Sequence, residues 1–395
     1  MGHDRHGLIF RDGVALPPRV GIYSASPLLS FMPAIKIHGA GSIGNHLANA
    51  ARRLGWAVTL CDIADRALER ARREIYPSRY GAWDEAIQLH NSRTAPKGGF
   101  DLIAIGTPPE FHLPLALEAL EENPRAIQVE KPVCMPDLAG AQELFQKSRE
   151  RGVAVFVGYD HVVGSAACEV ARLLGRKAIG GIETLDVEFR EHWGGIFAAH
   201  PWLSGPADSY LGFWKNGGGA SGEHSHALNL WQHFAQLIGA GRVVEVSALL
   251  DYTKDGVAEY DRICALHLVC ESGFVGRVVQ DVVTRPVRKW ARIQGRDGFV
   301  EWHCGAVAGR DDVRWAELDG VPQEALFPKT RPDDFIREIE HIQASLADGT
   351  PSPISLERGL DTMLVIAAAH LSAQQRRNVK IDYSAGYRPE SLSLC

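Results

Sequence analysis

The chain has 395 residues and carries 42 Lys and Arg against 48 Asp and Glu, a formal net charge of −6. That balance argues against a nucleic-acid binder, which carries a basic excess or a basic face. With 45% hydrophobic and 23% charged residues the chain is globular rather than disordered, and no apolar run reaches the roughly 18 residues of a membrane span. At about 150 residues per domain, two or three domains are expected. The seven Cys are odd in number and none pair with C-x-x-C spacing. Neither a disulfide framework nor a structural zinc site is therefore expected, and the predicted compartment is the reducing cytoplasm.

Residues 1–33 hold several charges and Pro17, Pro18, Pro27 and Pro33. They lack the clean apolar core and small-residue cleavage site of a signal peptide, so they read as an N-terminal extension, with Met32 as an alternative start. Ala34 to His38 is a β-prone run, followed at once by Gly39-Ala40-Gly41-Ser42-Ile43-Gly44 and a helical pattern from Asn45 to Leu54. A second strand, Ala57 to Cys61, ends in Asp62. Gly39 suits a tight turn, Gly41 lets backbone approach a pyrophosphate, and Gly44 allows close helix–strand packing. The helix N-terminus offers free N–H groups to phosphates. Asp62, about 20 residues on, is placed for the ribose hydroxyls and repels a 2′-phosphate, so NAD is the expected cofactor with NADP as the alternative.

The alternation continues. Helices are predicted over 65–75, 110–120 and 137–151. Strands are predicted at 100–105, 126–129 and 153–157, with Gly106-Thr107-Pro108-Pro109 and Glu130-Lys131-Pro132 after the first two. This is the pattern of a doubly wound parallel sheet, whose ligands bind at the carboxyl ends of the strands. Beyond it lie a strand at Thr184–Arg190, an aromatic and polar stretch that includes Trp214, and a glycine loop from Gly217 to Gly222. A helix is predicted from Glu223 to Gly239, on which Glu223, His226 and Asn229, spaced by three, share one face. Residues 243–302 alternate as strands, several apolar on both faces, which suits a sheet covered on both sides. Two closing helices span 332–348 and 355–377. A zinc site built from Glu223, His224, His226 and His233 lacks supporting residues, so no metal is expected.

These motifs resemble the glucose–fructose oxidoreductase / inositol dehydrogenase (Gfo/Idh/MocA) family. The resemblance is carried by the glycine turn, Thr107-Pro108-Pro109 with His112, Glu130-Lys131-Pro132, Gly158-Tyr159-Asp160-His161, and Gly217-Gly218-Gly219 leading into Glu223-His224-Ser225-His226. It covers residues 34 to about 385. It implies an N-terminal Rossmann domain (34–158) and a C-terminal α/β domain with a large open, mainly antiparallel sheet (159–385) for substrate binding and oligomerisation, leaving a tail at 386–395. It also implies an NAD(P)-dependent dehydrogenase acting on a secondary alcohol or ketone of a sugar, inositol, sugar acid or sugar nucleotide, as a homodimer or homotetramer with no nucleic-acid or membrane partner.

The candidate cofactor contacts are Gly39, Gly41, Ser42, Ile43, Gly44, Asp62, Thr107, Pro108, His112, Glu130 and Lys131. Lys131 is expected beside the nicotinamide, and His226 as the proton acceptor or donor. Glu223 is the third catalytic candidate, taking the place of an acid that many members carry at the position of Gly222. The candidate substrate contacts are His161, Arg190, Trp214 and Asn229. Two other activities fit the same resemblance: a glycoside-cleaving enzyme that oxidises transiently through NAD, and a non-catalytic ligand sensor.

Overall fold

The structure, a computed structural model, describes residues 32–395; the expectation of an extension over residues 1–33 falls almost wholly outside them. The first sheet grows from short, apolar strands. They are β1 (Ala34–His38), β2 (Ala57–Asp62), β3 (Ile87–Asn91), β4 (Leu102–Ile105), β5 (Ala126–Val129) and β6 (Ala154–Val157). Their order is β3-β2-β1-β4-β5-β6, with every pairing parallel. Ile35, Ile37, Ile103, Ile105 and Ile127 are fully buried because helices cover both faces. Those helices are α1 (Ser42–Arg53), α2 (Asp65–Arg70), α3 (Tyr76–Tyr80), α4 (His112–Leu120) and α5 (Ala141–Arg151). The helix predicted over 65–75 runs on through a wide turn at Ala71–Ile75 into α3.

The second sheet has ten strands among the described residues. After α6 (Ser165–Gly175) come β7 (Ile182–Arg190), then α7 (Trp193–Ala198), α8 (Gly219–Glu223) and α9 (Ser225–Leu237). A run of strands follows: β8 (Val243–Asp255), β9 (Ala258–Cys270), β10 (Val275–Asp281), β11 (Arg288–Gly295), β12 (Gly298–Val307), β13 (Arg310–Glu317) and β14 (Gln323–Pro328). Helices α10 (Asp333–Asp348) and α11 (Leu356–Gln375) precede the edge strands β15 (Val379–Ile381) and β16 (Leu392–Leu394). The order is β14-β13-β12-β11-β7-β10-β9-β8-β15-β16, and only β7 and β10 pair in parallel. The expected α/β class with a mainly antiparallel second sheet is what the chain forms. Residues 386–395, expected as a tail, instead pack onto it. Tyr387 is buried and donates from its hydroxyl to Asp361 at 3.1 Å, and β16 pairs with β15.

The helix expected from Glu223 breaks at His224, whose φ of −96° and ψ of 22° leave the helical region. Glu223 therefore ends α8, while His226 opens α9. Helix α9 lies on β7 and β10, held by Trp231, which is fully buried and donates from Nε1 to the Leu185 carbonyl at 3.0 Å. Trp231→Ala should cost about 3–5 kcal/mol, read as a lower urea midpoint with an unchanged slope.

Candidate active site

The carboxyl ends of β5 and β6 face α8, α9 and β11 across a cleft of about 580 Å³. It is lined by Ser42 and Ile43 of the glycine turn and by Lys131, Asp160, His161, Glu223 and His226. The turn's glycines are required by space. Gly39 has φ of +101°, and a Cβ there would lie 2.6 Å from the Gly106 carbonyl oxygen. A Cβ on Gly44 would lie 1.9 Å from the Gly39 oxygen, whereas one on Gly41 would meet nothing within 4 Å. The turn thus closes on its own sheet and leaves open space where backbone meets a ligand. Asp62, at the end of β2, accepts from the N–H groups of Ala40 and Ala64, each at 2.9 Å, which fixes its carboxylate beside the turn. Open space at Gly41, the α1 N-terminus and a fixed carboxylate fit a dinucleotide.

Thr107 and Pro108 sit at the end of β4, as expected. His112 does not reach the groove: its ring is buried, Nδ1 faces the Pro132 carbonyl at 2.9 Å and Nε2 the Thr107 carbonyl at 2.6 Å. It bridges the Lys131-Pro132 segment and the end of β4. Burial pulls its pKa down to about 4.

Lys131 donates from Nζ to Glu223 Oε2 at 3.0 Å and to the Glu223 carbonyl at 2.9 Å. Burial works against its charge, but Glu223 outweighs burial, and the Lys131 pKa is raised. Glu223 is therefore the partner of Lys131 and not the group that orients His226. Glu130 is buried beside it, and desolvation lifts its carboxyl to about 8, against the pull of Lys131.

The carboxylate near His226 is one the sequence left without a role. Asp160 Oδ1 lies 3.6 Å from His226 Nδ1 and 2.5 Å from His161 Nδ1. The two imidazole rings stand 4.5 Å apart, centroid to centroid, and Tyr159 packs edge-on against His226. Burial lowers the His161 pKa, yet the Asp160 carboxylate, with Cys304 behind it, overcomes this and raises it to about 9. For His226 burial acts in the same direction as the positive His161, and its pKa falls well below the ordinary value in spite of Asp160. His226 is thus neutral at pH 7 and His161 is charged. The ligand atoms of Asp160, His161 and His226 lie within 4.8 Å of one another, a spacing that admits a metal ion. Arg331, 4.0 Å from Asp160, and the charged His161 disfavour a further cation there.

Three expected substrate contacts lie elsewhere. Arg190 is paired with Asp281 at 2.5 Å; strand alternation gives the cleft its neighbours Phe189 and Glu191 instead. Trp214 stacks on His370 at 4.5 Å and lines a separate groove of about 430 Å³. Asn229, one turn further along α9 than His226, is buried and donates to Thr362 Oγ1 of α11 at 3.2 Å. In their place Lys289, paired with Glu191 at 3.0 Å, and His200 and Trp202 from the aromatic stretch line the cleft.

Residues 34–159 match the model of an oxidoreductase family with an NAD-binding Rossmann fold. No curated protein sequence matches the chain. Among solved structures, an Agrobacterium radiobacter oxidoreductase in complex with NAD+, L-tartaric acid and magnesium superposes with a TM-score of 0.69 at 18% identity, over 88% of this chain and 98% of that one. The Caulobacter crescentus aldose-aldose oxidoreductase complexed with glycerol gives 0.70 at 18% identity, over 89% and 100%. The Bordetella pertussis WlbA dehydrogenase in complex with NADH and UDP-GlcNAcA gives 0.66 at 20% identity, over 89% and 99%. At these identities the likeness is one of fold.

A histidine whose folded pKa is raised stabilises the fold fully below its ordinary value of 6.5, and that contribution is lost as pH rises through about 9. The melting temperature should therefore fall between pH 6.5 and 9, and His161→Gln should flatten that fall. An equally steep fall in the variant would assign the slope to other groups.

Proposed function

We propose, from the premise that residues 34–159 make this chain a member of the Gfo/Idh/MocA oxidoreductases, that it transfers a hydride between NAD and a secondary alcohol or ketone of a sugar-like substrate. In this reading residues 34–158 hold the cofactor. Residues 159–385 hold the substrate and form the subunit contact of a cytoplasmic homodimer or homotetramer. The half-buried outward positions Ile263, Ala265 and Val269 of β9 support that contact. No helix among the described residues is long and apolar enough to cross a membrane.

The observation that carries the reading is an ammonium and an imidazole lining one cleft: Lys131 at the end of β5 and His226, its pKa lowered by burial, at the start of α9. Gly39, Gly41, Gly44 and the α1 N-terminus would hold the dinucleotide phosphates, and Asp62 its ribose. When bound, the nicotinamide supplies the hydride acceptor or donor. Oxidation also requires removal of the hydroxyl proton, and a neutral His226 is ready to take it. The imidazolium so formed lies 3.6 Å from Asp160, whose negative charge stabilises it. Lys131 stabilises charge developing on the substrate oxygen, and Glu223 holds the ammonium in place through two hydrogen bonds. Glu130, Lys289 and Trp202 complete a polar and aromatic wall suited to a polyhydroxylated ring.

A screen of NAD with sugars, inositols, sugar acids and sugar nucleotides, read as NADH formation, tests the reading. With a substrate found, Lys131→Ala and His226→Ala should each lower turnover at least about a hundredfold. The oxidation rate should show no loss centred near pH 6.5, because His226 is already deprotonated there. Near-normal turnover in His226→Ala would remove it as the base. Separately, Asp62→Ala should narrow the preference for NAD over NADP; an unchanged ratio of dissociation constants would deny Asp62 the ribose role.

A further inference from the structure

The glycine turn accounts for backbone contacts to a dinucleotide but supplies no cationic side chain. One reaches the same place from α3. The Arg79 guanidinium donates from Nη2 to Ser42 Oγ at 2.9 Å and from Nη1 to the Ser42 carbonyl at 3.0 Å. Ser42 is the first residue of α1, so the guanidinium stands beside the helix's free N–H groups. Its remaining contacts are His46 Nε2 at 3.1 Å and the Ala199 carbonyl at 3.0 Å. Among the described residues no carboxylate lies within ion-pair distance of it, although the other arginines of α2 and its continuation include Arg72 and Arg73, both paired with glutamates.

This arrangement is electrostatically unfavourable as it stands. A helix N-terminus carries partial positive charge, and a half-buried cation beside it repels that charge. Burial pulls the Arg79 pKa down, and Arg331 adds to the pull. His46 is driven to about 3, by burial first and then by Arg79, so it accepts from Arg79 as a neutral ring and adds no charge. The guanidinium is nevertheless held firmly. Trp202 of the segment after α7 lies against it, 5.9 Å from ring centroid to the guanidinium carbon, with Arg70 on the same ring at 5.4 Å. A cation fixed among neutral acceptors at a phosphate-binding helix end is completed by an anion.

We propose that Arg79 is a pyrophosphate-binding residue, donated by α3 from outside the glycine-rich turn. The proposal rests on the reading that residues 34–158 hold NAD. It adds to that reading a side chain that meets the dinucleotide's charge, where the turn offers only backbone. The Ala199 carbonyl and the Trp202 ring brace the guanidinium from the substrate side of the cleft.

The test is direct binding of NADH to the full chain without substrate, by fluorescence titration, with ADP-ribose and adenosine as competitors. Arg79→Ala should weaken NADH and ADP-ribose alike by at least about tenfold, the loss of a charge-assisted hydrogen bond, and Arg79→Lys should recover part of it. The deficit should narrow as salt rises. Adenosine, which has no phosphate, should bind both proteins equally. NADH binding within twofold of the wild type in Arg79→Ala overturns the proposal while leaving the NAD reading intact. Equal losses for adenosine and ADP-ribose also overturn it, by assigning Arg79 a structural role. If Arg79→Ala fails to fold, Arg79→Gln binding NADH more weakly than Arg79→Lys, with a shallower salt dependence, supports a charge contact, and Arg79→Gln with wild-type affinity refutes it. A wild-type chain that binds no NADH would overturn both the proposal and the reading beneath it.

Discussion

A buried ion pair ties the ends of the two sheets together at the cleft. Lys131 leaves the end of β5 in the first sheet, and Glu223 closes α8 on the second; their side chains meet at 3.0 Å with little exposure to water. A pair of this kind contributes little net stability, because desolvation offsets most of the Coulomb attraction. Removing one partner is costly, because the other charge is left buried. What the pair supplies is registration. The ammonium can be carried into a low-dielectric cleft only if the second half of the chain delivers a carboxylate and a carbonyl to the same point. The orientation of α8, the break at His224 and the placement of His226 are set around that requirement.

A second charge pattern is layered on the first. Asp160 and His161 form a salt bridge buried beside a histidine that stays neutral. In a medium of low dielectric one proton cannot be shared evenly among three such groups. The carboxylate is held ionised, the nearer imidazole takes the proton, and the farther imidazole is left free to accept one. The two imidazoles are thus pushed in opposite directions: burial and the His161 charge lower His226, 3.6 Å from Asp160, while Asp160 at 2.5 Å raises His161 against its burial.

The parts of this molecule that are local in sequence were legible there. The glycine turn, Asp62 and Glu130-Lys131-Pro132 each declare themselves within a few residues, since strand ends, turns and helix starts are short-range events. Strand β3, Ile87 to Asn91, was not read, because Ile-Gln-Leu-His-Asn alternates too briefly to stand out from the polar segment around it. The partner of His226 was not legible either: Asp160 lies far away in sequence, and only the packing of α9 against the end of β6 brings them together. Nor does the sequence show that Asn229 pairs with Thr362 of α11 and Arg190 with Asp281, since both partners are distant along the chain. Trp214 belongs to a stretch whose composition suits a ligand wall, but composition does not say which aromatics of the stretch turn inward.

The placement of that stretch has its own consequence. Residues 191–218 leave the sheet at the end of β7 and return at α8, and neither end depends on their length, since β7 is held by β10 and β11 and α8 by Lys131. Loops that hang from a finished scaffold tolerate insertion and replacement better than the scaffold does. Replacing His200, Trp202 and their neighbours therefore reshapes one wall of the cleft while the Lys131–Glu223 pair beneath it stays in register.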